Sequence, residues 1–167
     1  GSVAREPGQN AYDLIELAHG LNATILTREA GNKADMFSFW PSEEAPTHAI
    51  FCIEGGDEVI GTLPGGADKL NPSVQSVDLK SGEVVTLLRG MNRCDGIRTT
   101  AWGTVLATEE TSTGQAYEII EPLSMVNHTV IDRATGTIVD ADGNPSANVA
   151  KRDALPTMAW EGLTVLD

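Results

Sequence analysis

Two stretches of this chain can be written one above the other without a gap. Residues 12–31 read YDLIELAHGLNATILTREAG, and residues 117–136 read YEIIEPLSMVNHTVIDRATG. Tyr12 meets Tyr117, Ile15 meets Ile120, Glu16 meets Glu121, Asn22 meets Asn127, Thr24 meets Thr129, Arg28 meets Arg133 and Gly31 meets Gly136, all at one offset of 105 positions. Such a repeat restricts the fold, because both copies are expected to adopt one structure. Alone, the first copy could be a helix: Leu14, Ile15, Ala18 and Leu21 share a 3.6-residue face, and Asn10 could cap it. In the second copy Pro122 falls where that helix would have its interior, which a helix tolerates badly. The shared structure is therefore expected to be strand, loop, strand and turn.

A further hairpin signal lies between the copies. Val74, Val77 and Leu79 lead into Lys80-Ser-Gly82, and Val84, Val85, Leu87 and Leu88 lead out, so a short turn with a left-handed glycine joins two β-rich runs. Asp78-Leu-Lys-Ser-Gly82 matches Asp132-Arg-Ala-Thr-Gly136 and, more weakly, Thr27-Arg-Glu-Ala-Gly31. The turn glycines then stand 51 and 54 positions apart, which splits the longer offset into two units of about fifty residues. Asp95-Gly-Ile97 also resembles Glu161-Gly-Leu163, each an acid and a glycine entering an apolar strand. Several short strands per unit at this period predict an all-β chain, a β-propeller segment of about two to three blades. A closed propeller usually needs four or more, so residues 1–167 are read as one all-β unit, a partial propeller whose remaining blades come from elsewhere. The alternative is a duplicated β-sandwich.

The remaining stretches read as loops. Residues 54–68 lack the alternating ligands of an EF-hand, and Asp140-Ala-Asp-Gly-Asn144 reads as an ordinary turn. Trp102 reads as a packing and turn residue, and His19, His48 and His128 share no spacing.

The balance of 24 acidic to 11 basic residues gives −13. That charge repels nucleic acid and anionic membranes, so neither is expected as a partner. It suits solubility, and it suits hard cations, which want carboxylate oxygens. No apolar run approaches the ~18 residues a membrane helix needs. Cys52 and Cys94 make neither a disulfide framework nor a zinc spacing; one bridge and two free thiols are both open. Nucleophile elbow, P-loop, dinucleotide fingerprint and zinc-protease helix are absent from the sequence.

Chemistry-bearing residues concentrate in residues 94–110, CDGIRTTAWGTVLATEE. This segment resembles the Trp-Gly-Thr-x-Leu-x-x-Glu-Glu segment of the PhoX-type alkaline phosphatase family of β-propeller metalloenzymes. Cys94, Thr100, Trp102, Gly103, Thr104, Leu106, Glu109 and Glu110 take the family's places, with Ala101 where proline is usual. The closing MAWEGLTVLD resembles the family's Gly-Arg-Phe-x-His-Glu segment, with Glu161 at the acidic place and Trp160 where His is usual. Together these cover about thirty residues. The resemblance implies hydrolysis of a small phosphorylated substrate at a channel site holding iron and calcium, in a periplasmic or secreted protein. It implies Cys94 and Glu110 as metal ligands, Glu109 as the alternate, Glu161 as the carboxylate of the next blade and Asp95 as a helper. Thiolate suits iron and carboxylate suits calcium. Adjacent strand residues face opposite sides, so only one of Glu109 and Glu110 can point at a given site. Arg93 and Arg98 flank the cysteine as candidates for the substrate phosphate, or as partners of local carboxylates.

On this reading the chain by itself shows little or no phosphatase activity, because part of the site lies on the remaining blades or on another subunit. Two alternatives stand beside it: a non-catalytic, calcium-stabilised propeller that serves as a binding platform, and a calcium-dependent propeller lactonase. The lactonase should be indifferent to Cys94→Ser, and the platform should show no turnover.

Overall fold

The computed structural model describes residues 15–56, 58–63, 66 and 68–166. Residues 12–14, which open the first copy of the repeat, lie outside the described residues. The chain is all-β. Among the described residues twelve strands run in the order β1 (Ala34–Trp40), β2 (His48–Ile53), β3 (Val59–Thr62), β4 (Asp68–Leu70), β5 (Pro72–Asp78), β6 (Val84–Arg89), β7 (Cys94–Thr99), β8 (Val105–Glu109), β9 (Ala116–Ile119), β10 (His128–Asp132), β11 (Thr137–Val139) and β12 (Val149–Lys151). They form three open sheets: a six-stranded sheet ordered β1-β2-β5-β6-β10-β11, a four-stranded sheet ordered β12-β9-β8-β7, and the hairpin β3-β4. All neighbours are antiparallel except β6 and β10. The hairpin β3-β4 corrects the expectation of a plain loop over residues 54–68; its strand residues are mostly exposed.

The two larger sheets share one core. Ile50 and Cys52 of β2, Val74 of β5 and Leu87 and Leu88 of β6 pack in one cluster with Ile97 of β7, Val105 and Ala107 of β8 and Tyr117 and Ile119 of β9. Burying such side chains from both inner faces is the main force holding sheet to sheet. β2 reads as a continuous apolar run because its other face is buried too. There Phe51 and Ile53 pack with Val77 against Ala30 and Ala49.

The second copy of the repeat is strand, loop, strand and turn, as its proline demanded: β9, a short 3-10 turn at Pro122–Ser124, β10, and a turn closed by Gly136 at φ 69°. The described part of the first copy, residues 15–31, forms no strand. It lies instead over the β5–β6 turn, where a Cβ on Gly82 would stand 2.4 Å from the Leu26 carbonyl oxygen. Gly82 also holds φ 77°, so close approach and left-handed backbone both require glycine there. Asp78 Oδ1 accepts from the Lys80 and Ser81 amides, and Asp132 Oδ1 from the Ala134 and Thr135 amides. The matched turn sequences therefore share one side-chain-capped geometry.

Three segments run side by side in the same direction where the sheets meet: β1, β7 and residues 161–166. Ser38 Oγ of β1 donates to Thr99 Oγ1 of β7 at 2.9 Å and accepts from the Thr99 amide at 2.8 Å. A Cβ on Gly96 would come within 2.9 Å of the Gly162 Cα, so glycine here lets the third segment lie against β7. Cys52 of β2 is disulfide-bonded to Cys94 of β7, which ties the six-stranded sheet to the four-stranded one.

Candidate functional site

Because these three segments run parallel, the acids near their starts come together. Asp35, Asp95 and Glu161 share one end of the set, and the strands returning from β1 and β7 add Glu54 and Glu110. Main-chain bonds fix the assembly. The Glu54 amide donates to the Lys33 carbonyl at 2.9 Å, the Glu110 amide to the Arg93 carbonyl at 2.8 Å, and the Arg93 amide to the Gly55 carbonyl at 2.8 Å. Glu110 also bridges to Ala159, which brings Glu161 alongside. Lys33 and Arg93 both adopt left-handed backbone, at φ 64° and 57°. The two hairpins thus repeat one device: a left-handed basic residue, an acid two positions on, and a glutamate at the end of the return strand.

Asp95 is the most unusual member. It is 8 % exposed, and among the described residues no donor hydrogen-bonds its carboxylate. Burial, followed by the charges of Asp35, Glu110, Glu161 and Glu54, raises its pKa to about 6. Glu110 is also raised, first by burial and then by a hydrogen-bonded contact with Glu161, against the lowering effect of Arg93. Arg93 answers part of this charge. Its Nη2 donates to Glu110 Oε2 at 2.5 Å and pairs with Glu54, which also accepts from its Nε at 2.9 Å. The Arg93 side chain is 47 % exposed.

Cys94 is corrected as a thiolate ligand: bonded to Cys52 and buried, it carries no thiolate. The donor set therefore does not fit iron held through that sulfur. Glu109 is corrected as a ligand for the same end. It faces the core, fully buried, and accepts from the Asn92 amide at 2.8 Å and the Gln115 amide at 3.0 Å. Arg133 completes its shell with Nε at 2.8 Å and Nη2 at 2.6 Å. Arg98 does not join Arg93. Three residues beyond Asp95 along β7, it is about 10 Å from the acidic end. There it pairs with Glu43 at 3.3 Å and lines a cavity of 260 Å³ with Ser38, Thr99 and Val165.

The remaining carboxylates, Asp95, Glu110 and Glu161, do lie at one place, joined by Asp35 and Glu54. Sequence reasoning missed these last two. The signal was Lys33-Ala-Asp35 set against Arg93-Cys-Asp95. An all-oxygen donor set of this kind fits calcium in type. As they stand, no three His, Cys, Asp or Glu side chains among the described residues are close enough together to hold one metal ion.

The Trp-Gly-Thr turn lies at the other end of β7. Thr104 Oγ1 and Trp102 Nε1 both donate to Glu118 Oε1, at 2.6 and 2.8 Å, and Arg152 Nε donates to Glu118 Oε2 at 2.6 Å. Trp102 is thus a turn residue. Asp140 spends its carboxylate on the Asp142 and Asn144 amides of its own turn. His128 hydrogen-bonds Ser146 at 2.8 Å, and burial lowers its pKa.

Comparison with family models, with characterised proteins and with solved structures finds no match. Among the described residues no helix is long and apolar enough to cross a membrane. The disulfide is consistent with an oxidising compartment.

Proposed function

We propose that the acidic end of β1, β7 and residues 161–166 is a hard-cation site, for calcium first, in a metal-dependent phosphomonoester hydrolase of PhoX type. The observation that carries this is Asp95: a buried residue whose carboxylate accepts no hydrogen bond among the described residues and whose pKa is raised by burial and by four neighbouring carboxylates. Buried charge left in that condition is costly, and a divalent cation supplies the missing countercharge. Asp95, Glu110 and Glu161 would hold it. A bound cation there would offset charge on a phosphoryl group.

The strand order supports the propeller reading of the parent fold. β1-β2-β5-β6 and β7-β8-β9-β12 are both four-stranded antiparallel runs, as propeller blades are. The disulfide supports a periplasmic or secreted location. Hydrolysis is assigned to the protein with its remaining blades or a second subunit, so p-nitrophenyl phosphate turnover by the 167-residue chain alone is expected to be slight.

Calorimetric titration with calcium tests the site. Binding in the range of about 0.1–1 mM, typical of extracellular calcium modules, is expected. It should be lost in Asp95→Asn and Glu110→Gln. Failure to bind at 10-fold higher calcium, about 10 mM, overturns the site. The binding-platform reading is favoured by the locked Cys94, which removes the thiolate a phosphatase of this type would use. It expects calcium binding with no affinity for inorganic phosphate, whereas the hydrolase reading expects phosphate to bind once calcium is present.

A further inference from the structure

Four asparagines stand two positions before a serine or threonine: Asn22-Ala-Thr24, Asn71-Pro-Ser73, Asn127-His-Thr129 and Asn144-Pro-Ser146. That spacing marks an acceptor for N-linked glycosylation, provided the middle residue is not proline and the tripeptide lies on a surface loop. The fold separates the four. We propose that Asn22 is an acceptor for an N-linked oligosaccharide, and that it is the one acceptor among them.

Proline removes two. It fixes φ and has no N–H, so the chain at Asn71 and Asn144 loses the freedom to fold the hydroxyl back toward the amide. Both side-chain amides are engaged as well, Asn71 Nδ2 with Glu58 and Asn144 Nδ2 with Asp140 Oδ2 at 3.3 Å. Packing removes Asn127. Its backbone is left-handed at φ 54°, its amide donates to the Thr86 carbonyl at 2.8 Å, and its Oδ1 accepts from Arg89 Nε at 3.0 Å. Thr129, two residues on, is 5 % exposed and lies in β10 between β6 and β11. Reaching that tripeptide means pulling β10 out of its sheet.

Asn22 differs in each respect. Residues 21–27 form no helix, strand or turn, and Asn22 and Thr24 are both exposed. Neither side chain has a hydrogen-bond partner among the described residues. The Leu21 amide donates to the Ala18 carbonyl at 3.1 Å on one side, and Leu26 meets Gly82 of the β5–β6 turn on the other. The tripeptide is thus held at both ends without being buried. Leu21 and Leu26, which flank it, are 63 % and 44 % exposed. A bulky, hydrophilic group on Asn22 would cover apolar surface that otherwise meets water. The Cys52–Cys94 disulfide is consistent with the oxidising compartment in which secreted chains are glycosylated.

The step is a group transfer from a lipid-pyrophosphate-linked oligosaccharide. A bond forms between Asn22 Nδ2 and the anomeric carbon of the first sugar. The bond from that carbon to the pyrophosphate oxygen breaks, and its electron pair leaves on the lipid pyrophosphate. Nδ2 gives up one proton to solvent, and nothing is oxidised or reduced.

The test secretes the full chain from a eukaryotic host that attaches N-linked glycans. Intact mass is read before and after peptide-N-glycosidase digestion, which turns a glycan-bearing asparagine into aspartate and so marks the site in peptide spectra. The wild type should lose the mass of one glycan, with position 22 as the converted residue. Asn22→Gln and Thr24→Ala should be secreted without a glycan, and Thr24→Ser should keep it. Far-UV circular dichroism checks that the variants fold. A folded, secreted wild type that carries no glycan overturns the proposal. So does a glycan that persists in Asn22→Gln, or one found on Asn127.

Discussion

Glu109 lies inside the core with two amides and an arginine on its carboxylate. One residue further on, Glu110 faces a rim where five carboxylates gather and Arg93 pairs with two of them. Strand alternation alone sends the neighbours to opposite sides of β8. What it delivers them to differs in kind. The Glu109 setting is complete, so its charge is a structural fixture. The Glu110 setting is short of positive charge, so it can accept more. An adjacent acidic pair therefore marks a boundary between a satisfied interior and an unsatisfied rim.

The cross-link is the first place to break this contrast. Cys94 stands opposite Glu109 in the β7–β8 ladder and beside Asp95 in sequence, so the disulfide braces both settings. Its partners are 42 residues apart. Loop-closure entropy for that span is about 4 kcal/mol, so the Cys52→Ala, Cys94→Ala double variant should lose on that order in urea denaturation. Hydrogen exchange sharpens the outcome. The Asn92 and Gln115 amides, held by Glu109, should stay protected relative to the rest, while calcium affinity falls as the two hairpins loosen. Loss of less than about 1 kcal/mol would show that the shared core alone holds the sheets together.

The arginines come next. Arg133→Met leaves a fully buried carboxylate with two amides and no countercharge, which should cost about 3 kcal/mol. Adding Glu109→Gln should recover part of that loss. Arg93→Asn removes an exposed partner from carboxylates that water reaches, so its effect on stability should be much the smaller. Equal losses in chemical denaturation would erase the distinction between the two settings.

Asp95 should respond with the opposite sign. Its pKa rises from 3.8 unfolded to about 6 folded, so the folded state resists ionisation that the unfolded chain accepts. Stability from this group is present below about pH 4 and lost as pH rises through about 6. Asp95→Asn should therefore stabilise the calcium-free protein at pH 7, on the order of 2 kcal/mol, with the two pH profiles converging near pH 4. Destabilisation at pH 7 would mean that some donor already answers the carboxylate.

Much of this was legible in the sequence because local chemistry decided it. Pro122 excluded a helix from 117–136, and Asp-x-x-x-Gly fixed two turns. The first copy of that repeat misled: residues 15–31 match the second copy in identity but form no strand. The acids of the rim were half legible. Asp95 and Glu161 share an acid-glycine-apolar pattern, while Asp35 is followed by methionine in place of glycine. Its equivalence lies in backbone geometry, in the left-handed residue before it and the glutamate after the return strand. The fate of Cys94 was not legible, because pairing depends on β2 and β7 meeting across two sheets.

The smallest test uses a third carboxylate, a surface-side relative of the Glu109 setting. Burial alone would raise the pKa of Glu118, but Thr104, Trp102 and Arg152 more than offset it, and its pKa is lowered. Trp102 is 60 % exposed, so little of its effect comes from burial of the ring. Trp102→Phe deletes one donor, the indole N–H at 2.8 Å, and leaves Thr104 and Arg152 in place. A neutral donor on a carboxylate that keeps two others contributes about 1 kcal/mol. A loss of that size, with calcium affinity unchanged, would place the Trp-Gly-Thr turn with the satisfied settings. A change in calcium affinity would instead mean that the two ends of β7 are coupled, and that the rim depends on a turn it does not touch.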